Sequence, residues 1–171
     1  MGIIGKEEYN EIWNKFYDIF DFKPSIYKKD WPTFNVVKPS ITYDISDFYN
    51  QQSFEDAYKF YDDLHKKSLM AFRECSLECE KLYALDWHHS CYEFDPWQEI
   101  EKIEFEYADG SKIKKWPIEV LPNGDYYIFL ASDFRWGILG HPWEKSMCVF
   151  GQELIDSFEK NKPLLFNKII R

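Results

Sequence analysis

The chain has few of the residues that staple or bend a fold. Its 171 residues include four cysteines, seven glycines and eight prolines. No run of 18 apolar residues occurs, which argues against a membrane-spanning helix. Residues 1–6, Met-Gly-Ile-Ile-Gly-Lys, hold no apolar leader core, so the thiols are expected reduced in a cytoplasmic protein. Basic residues are in deficit, 21 against 30 acids, for a formal charge of −9. That field repels nucleic acid and anionic lipid, and it favours a basic protein partner. The plainer reading of the same charge is solubility. No internal repeat, low-complexity tract or linker divides the chain, so 1–171 is expected to be a single domain. A domain of this length buries roughly 70% of the surface of its unfolded chain, enough to do without a disulfide or metal staple.

What is abundant is aromatic side chains, 20% of the residues. In residues 6–20, Tyr9, Ile12, Trp13, Phe16, Ile19 and Phe20 recur at helical spacing. Residues 21–52 are broken by Pro24, Pro32 and Pro39, with a short strand expected over 40–45. Ser53 with Asp56 reads as a capping box. The apolar stripe behind it (Phe54, Ala57, Tyr58, Tyr61, Leu64, Leu69, Phe72, Cys75, Cys79, Leu82) predicts one long helix to about Leu82. A single strand is expected over 83–94, followed by a capped turn at Asp95-Pro96-Trp97.

Residues 102–150 read as an antiparallel meander. Ile103, Phe105 and Tyr107 form the dry face of its first strand, and Asp109-Gly110 its turn. The return strand over 113–120 is interrupted at Pro117. Residues 126–131 are apolar on both faces and predict a covered interior strand. Strands over 134–139 and 147–150 follow, and a helix over 152–160 ends before an apolar tail, 164–170, that must dock. Helices, a run of strands and a closing helix make an α+β fold.

No complete catalytic or cofactor motif is present, and no catalytic residue, metal or cofactor is nominated. His89 and Cys91 would share one face of a strand, with His88 on the other, which leaves too few ligands for zinc. Cys75 and Cys79, at i,i+4, read as core. Neither Cys91 nor Cys148 has a local feature that would activate it as a nucleophile. Asp125 and Asp133 read as turn caps or as acid/base carboxylates. Gly140-His141-Pro142-Trp143 is the most constrained step, read either as a rigid corner or as a presented His/Trp surface.

Four segments form a series: Leu85-Asp86-Trp87-His88-His89-x-Cys91-Tyr92-x-Phe94, Leu121-Pro122-Asn123-Gly124-Asp125-Tyr126, Gly140-His141-Pro142-Trp143 and Cys148-Val149-Phe150-Gly151. Over roughly residues 10–160 this series resembles a family of small bacterial proteins known as domain of unknown function 2716. The resemblance carries no catalytic residues. It implies an immunity-type role, because some members lie near polymorphic toxin loci.

Two functional readings follow. In the first, an acidic binding protein occludes a basic toxin domain, with Trp97 and Trp143 as anchors, His141 beside them, and Glu99, Glu101, Glu104 and Glu106 as the charged rim. In the second, a small-ligand binder or enzyme has a pocket formed by His89, Asp125, His141 and Trp143.

Overall fold

A computed structural model describes residues 1–106, 110 and 112–171 of the chain. In chain order the elements are β1 (Gly2–Ile3), α1 (Lys6–Phe20), β2 (Ser40–Asp44), α2 (Ser46–Tyr49), α3 (Phe54–Cys75), β3 (Leu82–Asp86), β4 (Tyr92–Phe94), β5 (Ile103–Glu106), β6 (Lys112–Lys115), β7 (Tyr127–Ala131), β8 (Gly137–His141), β9 (Ser146–Phe150) and α4 (Gln152–Lys160). Seven strands form one antiparallel sheet in the order β1-β4-β3-β7-β8-β9-β2. The fold is α+β.

Strand alternation divides the core into two layers. Phe129, Ala131, Ile138, Met147 and Val149 meet Leu64 and Phe72 of α3 and Leu154 and Phe158 of α4. Ile128, Leu130, Leu139, Cys148 and Phe150 point the other way, onto Ile12, Trp13, Phe16 and Phe20 of α1. This is why residues 127–131 are apolar at every position: β7 lies between β3 and β8 with helices on both faces.

The expected α1, β2, β7 and α4 are present, and so is the cap of α3, where Ser53 Oγ accepts the Asp56 N–H at 3.1 Å. The apolar tail docks on β2. Tyr43 stacks on Phe166 at 4.2 Å, and the Ile170 N–H donates to the Thr42 carbonyl. That contact covers what would be an open sheet edge. No helix among the described residues is long and apolar enough to cross a membrane.

Four expectations need correction. The long helix stops at Cys75, not Leu82. Trp136 Nε1 and Arg135 Nη2 donate to the Cys75 carbonyl at 3.2 and 3.0 Å, satisfying the orphaned helix end with side chains from the β7–β8 turn. Cys79, at φ 66, is therefore exposed beyond the helix and is not core, while Phe54 and Tyr58 on the first turns face solvent. Residues 83–94 form a hairpin, not one strand, turning at His88 with φ 67. The β5–β6 hairpin stands apart from the main sheet, β6 ends ahead of Pro117, and Ile103 is exposed. The fourth strand of the expected meander lies over 137–141, because Phe134, at φ 65, belongs to the preceding turn. Tyr107 and the Asp109 half of the expected turn lie outside the described residues.

Candidate functional site

Three acid/base side chains meet at the β3–β4 turn. Asp86 ends β3, and its carbonyl accepts the His89 N–H at 3.2 Å, which closes the turn. The same turn is tied to the start of β7, where the Trp87 N–H donates to the Tyr126 carbonyl. His89 is thereby held against two carboxylates. Its Nδ1 lies 3.0 Å from Asp86 Oδ1 and 3.7 Å from Asp125 Oδ2. Asp125 Oδ1 accepts the Tyr126 N–H at 2.7 Å, so one oxygen fixes the side chain and the other faces the histidine.

The His89 side chain is 63% exposed, whereas Asp86 and Asp125 are only 15% and 16% exposed. Burial raises the pKa of Asp86, opposed by its hydrogen bond to His89, and burial also raises that of Asp125. The hydrogen bond to Asp86 raises the pKa of His89 and favours the imidazolium. A shallow, open depression lies beside this turn, lined by Tyr9, His88, His89 and Cys91 among others.

His141 is elsewhere in character. It is 0% exposed, and both ring nitrogens are engaged. Nδ1 accepts the Glu144 N–H at 3.1 Å, which leaves the proton on Nε2 to face the Tyr126 hydroxyl at 3.4 Å. That hydroxyl donates to the Ser25 carbonyl at 3.0 Å and accepts the Ser25 N–H at 3.1 Å. Trp31 packs edge-on against the imidazole at 5.2 Å, and Trp143, half-buried, lies 5.1 Å from the Tyr126 ring. Burial pushes the His141 pKa down to about 4. The Gly-His-Pro-Trp step is thus a corner that pins the 22–39 segment to the sheet. His141 presents nothing to a partner.

The four residues of the expected pocket therefore fall into two groups. His89 and Asp125 meet with Asp86, while His141 and Trp143 meet around Tyr126. Tyr126 stands between the groups, joined by its backbone to Asp125 and by its ring to His141. Sequence reasoning missed Asp86 and Tyr126. The Asp-x-x-His spacing of 86–89 signals a turn that closes an aspartate onto a histidine, and it was masked by the apparent strand period.

The third group is the acidic-aromatic stretch. Trp97 is 49% exposed on a turn in which Asp95 Oδ1 accepts its N–H at 2.9 Å. Arg73 of α3 donates to the Pro96 carbonyl at 2.7 Å and fixes the turn from below. Glu99 and Glu101 are exposed on either side of buried Ile100, and neither has an ion pair among the described residues. Glu104 and Glu106 differ. Lys112 of β6 lies 2.8 Å from the first and 3.7 Å from the second, and Lys114 is in register with Glu104. Of the four expected rim acids, two have no ion pair among the described residues and two share Lys112.

A family model described as a protein of unknown function, DUF2716, matches residues 3–155. The chain is similar to "Uncharacterized protein YxiI" of Bacillus subtilis (strain 168), 32% identical over 166 residues, covering 95% of this chain and 94% of that protein. No solved structure matches. The chain belongs to the DUF2716 family.

Proposed function

We propose that this is a protein-binding protein of the immunity type, which covers the working surface of a basic toxin domain. The observation that carries the reading is Trp97. A large ring stands half out of the surface on a turn held from two sides, next to the exposed carboxylates of Glu99 and Glu101. A pre-fixed indole loses little entropy on docking and suits an interface anchor. Glu99 and Glu101 then steer a cationic surface towards it, within a chain whose formal charge of −9 works over longer range. Trp143 is half-buried against Tyr126 and can contribute only its outer edge.

The test is genetic. Each gene adjacent to this one is expressed in a host lacking the locus, with and without the chain. One neighbour should arrest growth alone and be tolerated in its presence, and the Trp97→Ala, Glu99→Lys, Glu101→Lys triple variant should lose that protection. Absence of any toxic neighbour, or protection undiminished in the triple variant, defeats the proposal.

A further inference from the structure

We propose that Asp86, His89 and Asp125 form a binding site for one divalent transition-metal ion, best suited to Zn²⁺. One imidazole nitrogen and two carboxylate oxygens come within 4.8 Å of one another. Tetrahedral bonds of roughly 2.0–2.2 Å from such donors to zinc place neighbouring ligand atoms about 3.3–3.6 Å apart. The observed edges of 3.0 and 3.7 Å bracket that range. The remaining edge, between the two carboxylates, lies within 4.8 Å.

The charge balance points the same way. Two carboxylates of 15% and 16% exposure converge, and no lysine or arginine among the described residues forms an ion pair with either. An imidazolium supplies one positive charge against two negative ones. A divalent ion bound to neutral His89 balances the group and relieves the repulsion between the carboxylates. The donor set also discriminates among ions. Mg²⁺ and Ca²⁺ favour all-oxygen shells, and the imidazole shifts the preference to borderline ions.

The ligands are held before any ion arrives. Asp86 is fixed in the β3–β7 ladder opposite Tyr127, Asp125 by its bond to the Tyr126 N–H, and His89 by the closed turn. Cys91 is not part of the set, because its buried thiol faces the backbone carbonyls of Asp86 and His89. With His89 on the surface, three protein ligands leave at least one position for water or for a carboxylate from outside. Open zinc positions of that kind support Lewis-acid chemistry or bridging to a second molecule.

The test is calorimetric titration of ZnCl₂ into the protein carrying Cys79→Ser, which removes the exposed thiol as a competing ligand. One saturable site per chain is expected. His89→Ala should weaken it by more than about tenfold, the loss that even outer-shell partners can cause. His89 is exposed, so its removal should leave the circular dichroism spectrum unchanged. Asp86→Asn should weaken binding similarly, and the His89 ring nitrogen resonances should move on addition of zinc. Failure to saturate at one ion per chain, binding that survives His89→Ala, or an unmoved His89 resonance would each overturn the site.

Discussion

Lowering the pH should unfold this protein partly through His141. The imidazole is fully buried, and its pKa falls from the ordinary 6.5 to about 4 because burial disfavours the charged form. The unfolded chain takes up a proton near pH 6.5 that the folded chain refuses until about pH 4. Between those values the unfolded state binds more protons, so stability falls as pH falls. The slope from this one group is about 1.4 kcal/mol per pH unit, which sums to about 3 kcal/mol by pH 4. Urea unfolding at pH 7.0, 6.0, 5.0 and 4.5 measures the slope, compared with His141→Asn. Asparagine can still accept the Glu144 N–H but has nothing to titrate. The variant should be weaker at pH 7 by about 1–3 kcal/mol, having lost the contact with Tyr126. Its pH dependence should be flatter, so the two stability curves converge towards pH 4.5. Parallel curves, or an NMR titration placing His141 near 6.5, would refute the buried neutral histidine.

Phe129→Ala should cost about 3–5 kcal/mol in urea unfolding, because the ring is fully buried on β7 and stacks against Phe72. A loss below about 1 kcal/mol would mean that β7 does not carry the core. Gly151→Ala should destabilise by at least about 2 kcal/mol, since a left-handed backbone is strained with any side chain there. Gly151 sits at φ +87, and an added Cβ would come 2.5 Å from Trp136 Cβ. A neutral result would show that the β9–α4 junction is looser than described.

Much of the fold was legible where one residue pattern has one physical cause. Ser53 and Asp56 announced the α3 start because the hydroxyl accepts the free Asp56 N–H and donates in turn to the Asp56 carboxylate. The two-sided apolar run 126–131 announced a covered strand, found over Tyr127–Ala131, because alternate side chains bury in opposite layers. The helix end at Cys75 was not legible. Its stop signal is not a local glycine but two donors, Arg135 and Trp136, supplied from sixty residues away. The β3–β4 turn escaped for a related reason. A histidine at positive φ replaces the glycine or Asn-Gly that usually marks a hairpin. That error carried over to the site, because reading 83–94 as a strand set His89 beside Cys91 and hid its meeting with Asp86. Sequence likewise placed Glu104 and Glu106 on a wet face correctly but could not show that β6 brings Lys112 against them.

The binding proposal is tested most directly by the association rate between this protein and the toxic neighbour that the genetic test would identify, measured across ionic strength. The wild type should associate fastest at low salt, with the dependence set by screening over about 8 Å at physiological ionic strength. Glu99→Lys with Glu101→Lys should slow association several-fold at low salt and change little at high salt. Glu104→Lys with Glu106→Lys should have a smaller effect, since Lys112 already offsets those acids. Trp97→Ala should leave association nearly unchanged and speed dissociation by about tenfold or more, as for an interface hot spot. An association rate indifferent to salt and to charge reversal at 99 and 101, with a dissociation rate indifferent to Trp97, would contradict the account.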